Sequence, residues 1–205
     1  MKSDNKYLFL IVGIFIGAIG VWVLIYSNPN LERSPGMMGQ SKSIQNSDAI
    51  DAHFIEQMIP HHEDAITMSE LALERAQREE VKELAQNIID SQSKEITQMK
   101  TWYKDWFGKD VPEDIIVMGQ HGMMGGGMHM GIMGTDADID TLGNAEDFDR
   151  EFVEQMIPHH LMAVMMGNML ENSTQRPEMK KLAEDIITAQ TSEIDLMRGW
   201  LADWE

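Results

Sequence analysis

Two histidine pairs are the residues whose types and spacing most directly predict chemistry in this chain. His61 and His62 follow Met58 by three and four positions, and the same Met-x-x-His-His pattern returns at residues 156–160. Positions three and four apart lie on one face of a helix, so each pattern places two imidazoles beside one thioether. Imidazole binds several transition metals, whereas thioether is a soft ligand that selects Cu(I). The candidate ligands of these predicted metal sites are Met58, His61, His62, Met156, His159 and His160.

A buried polar network is the alternative interpretation of the same histidines. The helix after the first pair carries Gln92 and Glu95 on an otherwise apolar face, and Gln190 and Glu193 repeat them. A carboxylate on a core face needs a partner, and the nearest candidate is a histidine of the preceding helix. These side chains either orient metal-binding imidazoles from behind or only stabilise the packing.

A second group of candidate ligands lies in the predicted linker, residues 108–145. Residues 118–133 are mostly methionine, histidine and glycine and have no periodic pattern. Six thioethers and two imidazoles within 16 residues predict a copper site, with Cu(I) favoured and Cu(II) possible through the imidazoles. The ligands predicted here are Met118, His121, Met123, Met124, Met128, His129, Met130 and Met133. Met166, on a predicted helix, is a further candidate, although core packing explains a helical methionine equally well.

Net charge and sulfur content narrow the function further. The formal net charge of −18 argues against nucleic acid or an anionic membrane surface as a partner. The chain has 19 methionines and no cysteine, which suits an exported, oxidising compartment. A di-iron site needs inward Glu-x-x-His motifs, whereas Glu56 is expected to face solvent and is followed three positions later by Ile59. Because the sequence has no phosphate loop or cysteine nucleophile, an enzyme is the less favoured class.

The first 26 residues predict a membrane anchor. Residues 7–26 contain no charged side chain, and a helix of that length spans about 30 Å, the thickness of a bilayer's hydrocarbon core. No small-residue cleavage site follows, so we expect the anchor to be retained. Lys2 and Lys6 precede the span, which predicts a cytoplasmic N-terminus and a periplasmic or extracellular C-terminal domain. Residues 27–45 predict a flexible tether.

An internal duplication organises the remainder of the chain. Each position from 51 to 106 has a counterpart 98 residues later, as Phe54 has Phe152, and 26 of these 56 positions are identical. Helical periodicity predicts two hairpins, residues 46–107 and 146–205, whose apolar faces pack on each other. The expected fold is all-α: a four-helix, ferritin-like bundle of two duplicated hairpins, preceded by one transmembrane helix.

Local features refine the predicted helices. The first is expected to begin at Ser47 or Asp48 and to kink or break at Pro60, just before the histidine pair. Pro177 is expected in the first turn of the last helix. Four tryptophans on the inner faces are expected in the core: Trp102, Trp106, Trp200 and Trp204.

The pattern Asp-x-x-Phe-x-x-x-Met-Ile-Pro-His-His, at residues 51–62 and 149–160, resembles the domain-of-unknown-function 305 family. The resemblance covers residues 46–204. It implies a ferritin-like helical fold, and the family includes exported, CopM-like copper-binding proteins linked to copper tolerance. It also implies copper binding at the methionine and two histidines of each pattern.

The leading hypothesis is a membrane-anchored, exported protein that sequesters copper or transfers it to or from a partner protein. Two alternatives stay open: a redox enzyme in which copper cycles between valence states, and a metal-free helical module that binds a membrane partner. The sequence does not predict an oligomeric state.

Overall fold

Five α-helices make up the described part of the chain, with no strand among them. The computed structural model describes residues 40–112 and 136–204, with the side chains of residues 40–46 and 136–138 left aside. The helices are α1 (Gln40–Arg75), α2 (Glu79–Phe107), α3 (Asp136–Asn144), α4 (Phe148–Glu171) and α5 (Pro177–Asp203). The all-α prediction is confirmed.

The helices pair as the duplication predicts. α1 packs along α2, α4 packs along α5, and contacts between α1 and α4 join the two hairpins.

Local chemistry defines several helix ends. Gly108 adopts the left-handed conformation (φ 68°), where its N–H donates to the Lys104 carbonyl and closes α2. The Asp147 carboxylate accepts from the Arg150 N–H and caps α4, and Pro177 occupies the first turn of α5 as predicted.

Two features of the helices differ from those predicted, and a third observation concerns the prolines. α1 begins at Gln40 rather than at Ser47 or Asp48, so the end of the predicted tether is helical. The predicted linker also contains α3, whose Leu142 is fully buried in one core, which is how tertiary packing stabilises a nine-residue helix. Pro60 lies inside α1 and does not break it, and Pro158 lies likewise inside α4.

Two apolar cores are related by the duplication. The first unites the C-terminal half of α1 and the start of α2 with the start of α4 and the end of α5. The second unites the opposite halves of the same four helices. In α1, His61 and His62 separate residues 54–59 of the second core from residues 65–76 of the first. The histidines therefore occupy a polar layer between two apolar ends of one bundle.

The four tryptophans were predicted to be core residues, but they are only partly buried and lie at the edges of the two cores. The rings of Trp106 and Trp204 instead contact arginines from the opposite copy. The Arg78 guanidinium lies 4.1 Å from the Trp204 ring, and the Arg176 guanidinium lies 4.2 Å from the Trp106 ring. Each hairpin thus holds the turn of the other through a cation–π contact.

The same two arginines pair with buried aspartates across the copies. Asp149 accepts from the Arg78 side chain at 3.0 Å and from the backbone N–H groups of Gln77 and Arg78. Its counterpart Asp51 lies 3.2 Å from Arg176 Nε, in an ion pair that lacks hydrogen-bond geometry. Burial raises the pKa of the Asp51 carboxyl, against the lowering effects of Thr174 and Arg176. The two ends of the bundle are therefore related without being identical.

Within residues 40–112 and 136–204, no helix is both long and apolar enough to cross a membrane. The predicted transmembrane segment, residues 7–26, lies outside the residues that the structure describes.

Replacing Asp149 by asparagine should lower the free energy of unfolding by about 2 kcal/mol, because Arg78 and two backbone donors lose a buried charged acceptor. The measurement is urea denaturation of the metal-free chain. Glu154→Gln is the control, since it removes an exposed ion pair with Arg150 that contributes about 0.5 kcal/mol or less. If the two substitutions lowered the free energy of unfolding equally, the stabilising role given to the buried Asp149 carboxylate would be wrong.

Candidate metal site

The four histidines of the two pairs are all buried at the middle of the bundle. His61, His62 and His160 are fully buried, and 8% of His159 is exposed. α1 carries the first pair and α4 carries the second, at equivalent positions of the duplication. The prediction that all four point inward is confirmed.

The closest contact between imidazoles crosses from one copy to the other. The ring centroids of His61 and His159 lie 3.8 Å apart, with the ring planes inclined at 40°. Within each pair the ring centroids are 6.3 Å apart, because consecutive side chains diverge around a helix. The two pairs therefore form one shared cluster, called here the histidine layer: His61, His62, His159 and His160.

A glutamate from the neighbouring helix orients the second histidine of each pair. His62 Nε2 lies 2.6 Å from Glu95 Oε2, and His160 Nε2 lies 2.7 Å from Glu193 Oε2. The predicted pairing of these core-face carboxylates with histidines of the preceding helix is confirmed. An ionised carboxylate accepts from Nε2–H, which leaves the lone pair on Nδ1. This is the arrangement in which a carboxylate behind an imidazole orients it toward a metal.

The histidine layer leaves several buried polar atoms without a partner. Neither ring nitrogen of His61 or His159 has a hydrogen-bond partner among the described residues, and neither does Nδ1 of His62 or His160. The Oε1 atoms of the buried Gln92 and Gln190 likewise have no hydrogen-bond partner among the described residues. Because buried polar atoms are normally satisfied, these groups require a functional or structural explanation.

Burial keeps the two central imidazoles neutral. Desolvation, together with the neighbouring His62 and His160, lowers the pKa of His61 to about 3. Desolvation and the other three histidines likewise lower the pKa of His159 well below its usual value near 6.5. Neutral imidazole is the form that binds metals, so these nitrogens are available as ligands at neutral pH.

Methionine sulfur is the other donor next to the histidine layer. Met58 and Met156 are fully buried and precede their histidines by three and four residues on the same helical face. Among the described residues, no group of three or more histidine, aspartate or glutamate side chains is arranged to hold one ion. A metal ion held at this position would therefore need methionine sulfur in addition to imidazole nitrogen.

The remaining predicted ligands fall in two classes. Met166 is half-buried and packs at the edge of the second core. The eight candidates of the linker lie outside the described residues: Met118, His121, Met123, Met124, Met128, His129, Met130 and Met133.

One carboxylate does not behave as predicted. Glu56, expected to face solvent, is half-buried and accepts a short hydrogen bond from the fully buried Tyr103 hydroxyl. Burial and Glu56 together raise the pKa of Tyr103 to about 12. Periodicity assigned the inner stripe of α2 to Trp102 rather than to its neighbour Tyr103. Since Leu201 stands at the equivalent position of the second copy, the duplication gave no signal for this pair.

Comparison with known proteins places this bundle among previously observed structures. Residues 51–201 match a family model described as Domain of unknown function (DUF305). The chain is 48% identical to CopM in its Cu(II)-bound form, with a TM-score of 0.66 over 76% of this chain and 97% of CopM. CopM has also been solved in Cu(I)-bound, Ag-bound and apo forms.

More distant relatives have the same fold. A putative secreted DUF305 protein from Streptomyces coelicolor is 30% identical, with a TM-score of 0.64 over 77% of this chain and 94% of that one. Among curated proteins, the chain is 43% identical over 53 residues to Uncharacterized protein L153 of Acanthamoeba polyphaga mimivirus. This stretch is 26% of the present chain and 35% of the viral protein, so the match spans about a third of that relative.

The metal-free protein should lose stability as the pH falls below about 6.5, because unfolded His61 and His159 take up protons that their folded forms exclude. Each histidine contributes at most about 1.4 kcal/mol per pH unit to this loss, which for His61 continues toward pH 3. The measurement is urea denaturation between pH 7.5 and 4.5 in the presence of a chelator.

The double variant His61→Asn/His159→Asn should flatten this pH dependence, whereas His53→Asn should not, because His53 is exposed. The difference between parent and variant is the diagnostic quantity. The raised pKa of Asp51 acts in the opposite direction and is common to both proteins. The same slope in the parent and the double variant would contradict the role given to the two buried imidazoles.

Proposed function

Because the chain belongs to the DUF305 family, we propose that it is a copper-binding protein that sequesters copper or transfers it to a partner protein. The observation that carries the proposal is the histidine layer, with its six buried ring nitrogens that have no partner in the described part of the chain. Copper is the cargo in this function.

The donor set of the histidine layer fits a soft, low-coordinate cation. His61 and His159 offer neutral nitrogens, while Glu95 and Glu193 leave Nδ1 of His62 and His160 free to bind. Thioether and imidazole together suit Cu(I) better than Zn²⁺, which normally recruits thiolate or carboxylate. We propose that Met58 and Met156 complete the ligand set.

The relatives support copper as the cargo. CopM, 48% identical to this chain, has been solved with Cu(II), Cu(I) and Ag bound. Both valence states of copper are therefore reasonable cargoes here. Cu(I) is our preferred form, because the histidine layer is buried between apolar cores and the described residues include no carboxylate hydrogen-bonded to His61 or His159.

Access to the buried layer needs a capture step, which we assign to the linker. Residues 118–133 supply six thioethers and two imidazoles that could hold copper loosely and pass it inward. In this proposal the linker collects copper and the histidine layer retains it. Met166, half-buried at the core edge, is a candidate intermediate ligand.

Membrane anchoring is part of the same proposal. Residues 7–26 would form a single-pass anchor with a cytoplasmic N-terminus, which would place the bundle in the periplasm or outside the cell. Deleting residues 1–26 should move the protein from the membrane to the soluble fraction in cell fractionation. Retention of the truncated protein in carbonate-washed membranes would contradict the anchor.

Replacing all four histidines of the histidine layer by asparagine should abolish tight copper binding, because the buried nitrogen donors are lost. The measurement is a competition titration of the full-length chain with Cu(I) and with Cu(II), read by metal analysis. Deleting residues 118–133 should slow copper uptake and reduce total stoichiometry while the tightest site is kept.

Three further variants protect this test from a folding artefact. Glu95→Gln and Glu193→Gln keep the buried imidazoles but weaken their orientation, and should lower copper affinity about 10- to 100-fold. His53→Asn removes an exposed histidine and should leave binding unchanged. If the variant with all four histidines replaced by asparagine folds and still binds copper tightly, the proposed site is wrong. If the parent protein binds no copper tightly, the proposed function is wrong.

A further inference from the structure

Four methionines form a stripe on one side of α4 that begins one helical turn after His159. Met162 and Met166 are half-buried, whereas 50% of Met165 and 64% of Met169 are exposed. At about 100° per residue, these four positions fall within one arc of roughly 100°. The stripe borders the second core at Met166 and reaches solvent at Met165 and Met169. This group, called here the methionine stripe, is Met162, Met165, Met166 and Met169.

The duplication provides an internal control for this surface. Three of the four counterparts in α1 are other residues, namely Asp64, Thr67 and Leu71, and only Met68 is kept. Because the same helix position accepts aspartate and threonine in the first copy, the fold itself does not require methionine at 162 and 165. Packing alone therefore does not account for the stripe.

The charge pattern differs in the same way. Residues 161–170 contain no charged side chain, whereas the equivalent residues 63–72 contain three acidic ones. Single exposed apolar side chains are common on protein surfaces, whereas several on one face form a patch that often marks a binding site. Leu161, Met165 and Met169 are three of the four large hydrophobic residues found exposed in the described part of the chain. A ligand for thioether sulfur gives these positions a function.

Helix geometry brings three neighbouring sulfurs of the stripe within reach of one ion, either those of Met162, Met165 and Met166 or those of Met165, Met166 and Met169. Met162 neighbours Met165 and Met166, and Met169 neighbours the same two residues, at spacings of three or four positions. Such neighbours have Cβ atoms about 5–6 Å apart, and the three torsions of methionine let their sulfurs converge. Thioethers without a nearby carboxylate favour a soft monovalent cation over Zn²⁺ or Ca²⁺.

We propose that the methionine stripe is a second metal site, which binds one Cu(I) or Ag(I) ion through thioether sulfurs at the surface of α4. It rests on the proposed function only for the choice of metal, because none of its ligands belongs to the histidine layer. An exposed site of this kind exchanges its ion readily with solvent or with a partner, whereas the buried layer retains its ion.

The test is a titration of the full-length, methyl-¹³C-methionine chain with Ag(I), followed by methyl NMR and metal analysis. The methyl signals of the stripe should shift as Ag(I) is added beyond the amount that the histidine layer and the linker bind, and Zn²⁺ should not shift them. The triple variant Met162→Leu/Met165→Leu/Met169→Leu should bind one equivalent less than the parent. Met68→Leu, at the buried counterpart of Met166, is the matched control and should lose none.

Separate outcomes distinguish this proposal from the copper-binding function. The variant His61→Asn/His159→Asn should keep the stripe shifts, whatever happens to the buried site. Stripe signals that do not move with Ag(I), or that move equally with Zn²⁺, would overturn the proposal. If the triple leucine variant bound as much silver as the parent, and both proteins dimerised without metal, the stripe would be a self-association surface instead.

Discussion

The structure depends on burying four imidazoles between two halves that each supply only two. A single hairpin would leave His61 or His159 against solvent, and neither ring nitrogen of these residues finds a protein partner in the described part of the assembled bundle. The imidazoles of His61 and His159 lose hydration on folding, which lowers their pKa and keeps them neutral. The free-energy cost of burying these polar rings in the middle of the bundle is offset by the hydrophobic stabilisation of two apolar cores, one on either side.

Contacts at the two ends of the bundle hold this layer together. Arg78 and Arg176, each in the turn between the helices of its own hairpin, reach the opposite copy and contact an aspartate and a tryptophan there. Separation of the hairpins would expose both histidine pairs and break both sets of contacts at once. The reciprocity makes the shared layer a property of the pair of hairpins, since neither hairpin contains a complete set of these interactions.

The two copies are identical in the polar layer and differ on the outer surface. The histidine, glutamine and glutamate positions of the polar layer are identical in both copies. On the outer surface, α3 packs against α1, where Gly143 lies next to Leu71 and accepts a hydrogen bond from Arg75. The equivalent position on α4 is the exposed Met169. Duplication thus provides a symmetric polar layer, while the surfaces have diverged and can serve different chemistry.

Much of this arrangement follows from the sequence by itself. The repeat at 98 residues predicts two hairpins, helical periodicity turns both histidine pairs inward, and an unpartnered core-face carboxylate such as Glu95 predicts its contact with His62. These inferences succeed because they depend on local spacing or on the energetic need of a buried charge. The sequence also shows that arginine stands at the equivalent positions 78 and 176. Nothing in the spacing, however, indicates which aspartate or tryptophan each arginine contacts.

The tertiary structure alone decided which histidines touch, how deep the tryptophans lie and where α3 packs. The His61–His159 contact joins residues 98 positions apart, so it depends on how α1 and α4 approach each other and not on the periodicity of either. Trp106 was assigned to the core from its helical face, yet it is only partly buried and its ring contacts an arginine from the other copy. Local sequence defines each face of a helix, whereas the partner of that face is selected only when all the faces compete for burial.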